Sequence, residues 1–237
     1  MIAIIGGSGL THLPELEITH RQIVRTPYGL PSAPVITGRL GQQDIIFLAR
    51  HGQNHTLAPH EINYRANIWA LHELGAREII SVAAVAAVHA AVEPGSLVLP
   101  DDLIDYTSGR AATFFEGQNQ EVVHTEFSQP YHEGLRAALL KHAAHRQTAI
   151  LEHAVYGCIQ GPRLPTRAEV RRYQQDGVDI IGMTGMPEAI LARELDIAYV
   201  HLCGVIGQAA STTLSPDFRS HQAHSTIRHI RQLLVDL

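Results

Sequence analysis

The chain has 237 residues, 45% of them hydrophobic and 17% charged, with a formal charge of −5. That suits one compact α/β domain or at most two small ones, and the absence of a basic tract together with few aromatics argues against a nucleic-acid groove. No apolar run approaches the length of a membrane span, and Ile2 to Ile5 is too short for a secretory signal core. Cys158 and Cys203 lack a metal-binding spacing and read as small buried residues of a reducing cytoplasm, which is the expected location.

Ile2 to Ile5 reads as a buried strand that stops in Gly6-Gly7-Ser8-Gly9. A strand, a glycine turn and a possible helix start form an anion cradle, since backbone N–H groups and a helix dipole favour negative charge. A plain tight turn accounts for the same residues. A dinucleotide fingerprint fits less well, because the sixth motif position counted from Gly7 is His12. Asp44 to Ala49 is the next clear strand, and Arg50-His51-Gly52 leave its exit, where open α/β sheets bind ligands. The Arg50 fork would suit phosphate oxygens, or it could lie in a surface ion pair.

Asn63 to Gly75 carries Ala66, Ile68, Trp69, Leu71 and Leu74 near helical spacing. Glu78 to Val82 reads as a strand. The run Val82 to Val92, VAAVAAVHAAV, has two readings: small residues lining a close approach to ligand, or tightly packed helix. Ser96 to Leu99 is strand-like, and Thr107 to Gln129 is a long polar excursion of the kind used for lids or subunit contacts. Leu135 to Ala144 reads as helix and Val178 to Ile181 as strand. Thr184 follows in IIGMTGMPEA, where a turn with backbone donors and a hydroxyl precedes a helix, Pro187 to Leu195, opened by proline. Ala198 to Cys203 is a strand and Ser225 to Leu237 a closing helix. The alternation implies an α/β architecture with a largely covered sheet.

The sixteen histidines include no H-E-x-x-H and no tight cluster with cysteine; His221, His224 and His229 alternate with polar residues and read as a solvated helix face. No metal is expected. There is no G-x-S-x-G elbow and no Walker loop. Three strand exits present Ser8, Arg50 with His51, and Thr184, and their convergence would make an anion site with inorganic phosphate as a reactant.

IIGGSGL, LARHGQNHTLAPHEINYRANIWAL, LIDYTSGR, GPRLPTRAE and GMTGMPEA, in this order, resemble the purine nucleoside phosphorylase superfamily. Within it the chain is similar to the methylthioadenosine and methylthioinosine phosphorylases, over about Ile4 to Tyr199. The resemblance implies a single domain, residues 1–237, with a mixed central sheet flanked by helices, and a homotrimer. It implies phosphate held by Ser8, Arg50, His51, Thr184 and backbone near Ala84, with Arg50, His51 and Thr184 as the catalytic group. Met183 would lie under the ribose, Leu164 against the purine, and His55 near the 5′ end of the sugar, often across a subunit boundary. The implied reaction is phosphorolysis of a purine nucleoside, methylthioinosine ahead of inosine, guanosine and methylthioadenosine, with no cofactor beyond phosphate as co-substrate and no nucleic-acid or membrane partner.

Three places depart from the family pattern. Gly207 and Ala209 stand where adenine-specific relatives carry two aspartates and 6-oxopurine relatives an asparagine, which disfavours adenine and allows a diverged, non-catalytic nucleoside-binding homologue. Neighbouring Gln208 would point the other way along a strand. Ala83 replaces a Thr or Asn, and Ala86 and Ala87 stand near family glycines. In SPDFRSHQ, Phe218 suits a methylthio group, whereas Arg219, Ser220 and His221 do not.

Overall fold

The computed structural model describes residues 1–116, 122–210 and 216–235, the side chains of 216–222 excepted. The middle of the Thr107 to Gln129 excursion and the side chains of Phe218, Arg219, Ser220 and His221 thus lie outside the described residues. In chain order the strands are β1 (Ile2–Gly6), β2 (Glu17–Gln22), β3 (Val35–Leu40), β4 (Gln43–Ala49), β5 (Glu78–Ala87), β6 (Leu97–Val98), β7 (Asp102–Asp105), β8 (Ile150–Leu151), β9 (Val155–Cys158), β10 (Ile180–Gly182) and β11 (Ala198–Gln208). The helices are α1 (Tyr64–Glu73), α2 (Glu133–His145), α3 (Arg167–Gln175), α4 (Gly185–Glu194) and α5 (Pro216–Val235).

One mixed sheet joins them in the order β2-β3-β4-β1-β5-β10-β9-β7, with β11 pairing β5 and β6, and β8 pairing β6. β1 lies parallel between β4 and β5, with Ile2 opposite Ile45 and Glu78. Its side chains from Ala3 to Ile5 are fully buried, which is why the strand reads as a continuous apolar run: both sheet faces are covered. α2, α4 and α5 pack on β11, and α1 packs on α4.

β5 organises the middle of the molecule. Along one edge it pairs β11 throughout. Along the other it pairs β1 only as far as Ser81, and then β10, antiparallel, at Ala86 and Ala87. Val82 to Val85 therefore have no ladder partner on that side. The Val82-to-Val92 run is strand as far as Ala87, then a turn, so the helical reading of it is corrected. Gly7 lets the β1 turn come close to β5: a Cβ there would meet Val82 O at 2.5 Å and Arg50 Nη1 at 2.6 Å.

The expected strand exits carry Ser8 after β1, Arg50 and His51 after β4, and Thr184 after β10, of which β1 and β4 run parallel. β10 runs antiparallel to β5, so its exit arrives from the opposite direction and meets the others at the β5 gap. No helix starts after the glycine turn; Leu10 N–H donates to Gly7 O at 2.9 Å, closing a β-turn with Gly9 at φ +82°. α5 begins earlier than Ser225, at Pro216, and the regular part of α4 starts after Met186 and Pro187, whose φ/ψ are non-helical.

Candidate active site

A cavity of about 400 Å³ opens at the β5 gap. Ser8, Arg50, His51, Ala84 and Thr184 line it, as do Met183, Leu164, Gly207 and Ala209. His55 does not line it: this exposed residue, at φ +52°, leans its ring on that of His51 with centroids 4.5 Å apart. Leu164 stands 63% exposed at the cavity wall.

Each polar group is positioned by the fold. Arg50 N–H donates to Gly6 O at 2.9 Å, which sets the β4 exit beside the β1 turn that carries Ser8. Arg50 Nη1 donates to Val82 O at 2.9 Å across the gap. By the two-residue alternation of strand groups, the Ala84 N–H faces the same gap. Thr184 caps α4 but makes no side-chain cap bond, so its hydroxyl remains for the cavity. The backbone donors expected in that turn are already used: Thr184 N–H and Gly185 N–H both donate to Tyr156 Oη, at 3.3 and 3.2 Å.

The Arg50 guanidinium also differs from the sequence reading. It is fully buried, and its bidentate fork grips Glu188 rather than facing the cavity: Nε to Oε1 at 2.5 Å and Nη2 to Oε2 at 3.1 Å. Ser81 Oγ and Tyr199 Oη donate to the same carboxylate at 2.7 and 3.0 Å. Burial opposes charge on both partners, yet each holds the other ionised, with Arg50 raised and Glu188 lowered from their ordinary values. One Nη1 hydrogen of Arg50 is left for a ligand. With that charge balanced by Glu188, the anion seat consists of hydroxyls, the Ala84 N–H, an imidazole and the one Arg50 hydrogen left over.

The sequence reading missed a second arginine. Arg110 Nη1 donates to Met183 O and Met186 O at 2.9 and 2.6 Å, Nη2 donates to Gln160 O at 2.9 Å, and the guanidinium lies 5.4 Å from the Tyr64 ring centre. It ties the loop after β9 to the loop after β10, the two that bring Leu164, Met183 and Thr184 to the cavity. The signal was present in YTSGR, where an arginine follows a strand and has no acidic neighbour to pair with.

The far end of the cavity is mostly apolar, with Gln208 as a polar member of its lining. β11 carries a register shift between Val205 and Gly207, and Ile206, Gly207, Ala209 and Ala210 line this end with Ile159. Gln208 anchors its amide on Val92 O at 2.9 Å. Among the described residues, no His, Cys, Asp or Glu cluster of metal-binding size is present and no helix is long and apolar enough to cross a membrane.

A seat of small polar groups beside a mostly apolar compartment, built across a break in a mixed sheet, agrees with the comparisons. The model of the phosphorylase superfamily matches residues 1–234. The chain belongs to the phosphorylase superfamily. This superfamily member is 50% identical over 208 residues to a probable S-methyl-5′-thioinosine phosphorylase of Pseudomonas syringae pv. tomato, covering 88% of the chain and 85% of the relative. It is 42% identical over 214 residues to a 6-oxopurine nucleoside phosphorylase of Pyrococcus furiosus, covering 88% and 80%. Among solved structures it superposes on methylthioadenosine phosphorylase from Schistosoma mansoni in complex with adenine with a TM-score of 0.93, at 29% identity over 99% of the chain and 89% of the other. The mixed α/β architecture expected from the sequence is thereby borne out.

Proposed function

We propose that this chain is a purine nucleoside phosphorylase acting on S-methyl-5′-thioinosine, yielding hypoxanthine and 5-methylthioribose 1-phosphate, with inorganic phosphate as co-substrate and no resident cofactor. The observation that carries the reading is the meeting of Ser8, His51, Thr184 and the β5 gap in one cavity whose other end is mostly apolar. The seat holds phosphate below C1′. One of its oxygens forms the new bond to C1′ while the C1′–N9 pair leaves with the base, which takes up one proton through solvent, the proton that hydrogenphosphate gives up overall. Holding both reactants in line supplies much of the acceleration. Arg50, His51 and Thr184 are the residues assigned to phosphate, with Ser8 and the Ala84 N–H; Met183 is assigned to the sugar and Leu164 to the base. His55 serves this reading only from outside the cavity lining, as a residue at a shared edge of a homotrimer. A cytoplasmic place in purine salvage completes the proposal.

The deciding assay measures base release from methylthioinosine, methylthioadenosine, inosine and guanosine with and without phosphate. Phosphate-dependent hypoxanthine release, fastest from methylthioinosine, is expected; equal release without phosphate makes the chain a hydrolase. Gly207 and the anchored Gln208 favour a second reading, a nucleoside-binding homologue with little turnover. Gly207→Asn is expected to raise 6-oxopurine turnover about tenfold or more, since one well-aimed donor is worth up to about 10²–10³ in rate. Gly207→Asp should move preference towards methylthioadenosine. Unchanged preference in both variants would mean that the base is read elsewhere.

Arg110 is a positioning residue in this scheme. Arg110→Ala is expected to lower kcat/KM for the nucleoside about 10- to 100-fold, the scale of a small misplacement of reacting groups. Added guanidinium ion should restore part of the loss. A variant that folds normally and loses no activity removes that role from Arg110.

A further inference from the structure

The far end of the cavity offers a bound base one polar side chain. Ile159, Ile206, Gly207, Ala209 and Ala210 line it with Gln208, and of these residues Gln208 alone has a side chain able to hydrogen-bond. An even two-residue alternation along β11 would turn Gln208 away from the side that its neighbours face. The register shift between Val205 and Gly207 breaks that alternation, and half-buried Gln208 stands in the cavity wall. Its amide is oriented from behind. Nε2 lies 2.9 Å from Val92 O. A carbonyl oxygen only accepts, so the nitrogen of the amide faces Val92 and the oxygen does not. Oε1 is left as an acceptor to which no described group donates.

We infer that Gln208 determines which base is held: Oε1 accepts the N1–H of a 6-oxopurine. The inference rests on the reading of this cavity as a purine nucleoside site, and it gives that site a base selector at a position other than Gly207 and Ala209. A 6-aminopurine placed the same way has a lone pair at N1 and sets it against those of Oε1. Unsubstituted purine likewise carries no hydrogen at N1. A site that depends on one hydrogen bond rejects the ligand that cannot form it, because the protein atom then loses water and gains no partner. The role is one of recognition, so it holds for a fast catalyst and for a slow nucleoside-binding homologue alike.

The test is calorimetric titration of the protein with inosine, adenosine and purine riboside, which share one sugar and differ in the base alone. Saturating sulfate replaces phosphate, so that no phosphorolysis occurs. Inosine should bind at least about tenfold more tightly than either of the others, the equivalent of about 1.4 kcal/mol. In Gln208→Met, similar in length but without the amide, the three should agree to within about threefold. Equal binding of the three nucleosides by the unmodified protein overturns the inference, and needs no variant to fold. So does an inosine preference that survives in a folded Gln208→Met. Phosphate-dependent base release without that preference removes the Gln208 role and leaves the proposed reaction standing. If no purine nucleoside binds or is cleaved, the nucleoside site itself is wrong and the inference falls with it.

Discussion

Glu188→Gln is expected to destabilise the protein by about 3–5 kcal/mol, the scale of breaking a fully buried ion pair from one side. Glu188 receives four hydrogen bonds, from Arg50 Nε and Nη2, Ser81 Oγ and Tyr199 Oη, and every one needs an acceptor. An amide presents N–H₂ to at least one of these donors and leaves the guanidinium charge without a counter-ion in a site that water does not reach. Denaturant unfolding at neutral pH measures the loss. A double change, Arg50→Met with Glu188→Met, should cost clearly less, because apolar side chains of similar size remove the charge and its partner together. A loss below about 1 kcal/mol for Glu188→Gln would show that the pair is hydrated rather than sealed in the core.

Acid should unfold the protein steeply, and His201 should account for about half of the slope. Its Nδ1 lies 3.0 Å from both Tyr199 Oη and Ser81 Oγ. Both hydroxyls give their hydrogens to Glu188, so Nδ1 is the donor and the neutral ring keeps its lone pair at Nε2. That Nε2 is buried without a hydrogen-bond partner, and the ring meets the Tyr156 ring at 4.8 Å. Burial pushes His201 down to about 3, with Arg50 acting the same way, and His51 stands near 4. Both folded values lie below the ordinary imidazole value of 6.5, so the unfolded chain binds more protons as the pH drops below that point. Stability from these rings is complete above about pH 6.5 and is lost as the pH falls towards 4, at up to about 2.7 kcal/mol per pH unit for two protons. Glu188, lowered from its ordinary value, adds loss in the same direction at still lower pH. Urea titrations from about pH 7 to 4.5 should give this slope, and His201→Asn should reduce it by about half. A stability that stays level across that range would contradict the burial of both rings.

The parts of the fold that could be read from the sequence are those buried on both faces. β1, β4, β10 and β11 announce themselves as apolar runs. β2, EITHRQ, is an almost wholly exposed edge strand, so no burial pattern marks it. α3 buries only Val170 and Tyr173, too few for a periodic stripe, although the Thr166 and Glu169 capping box was a usable signal. The alanine-rich half of β5 has helical propensity and is held as strand by β11 beside it. Ser8, Arg50, His51 and Thr184 were legible because each follows an apolar run directly. The partner that takes the Arg50 fork was not legible, because Glu188 lies 138 residues away in sequence and only the closed fold brings the two together. His55 shows the opposite limit: its position in a motif said nothing of whether its ring would reach the cavity.

The gap in β5 separates this protein from those that carry a binding loop as a self-contained module. Its walls come from residues near positions 8, 50, 84 and 184, so no fragment of the chain can assemble the seat in isolation. Occupancy is consequently tied to the whole cooperative unit rather than to a locally ordered loop, and any ligand that fills the seat reports on completed tertiary structure while stabilising all of it.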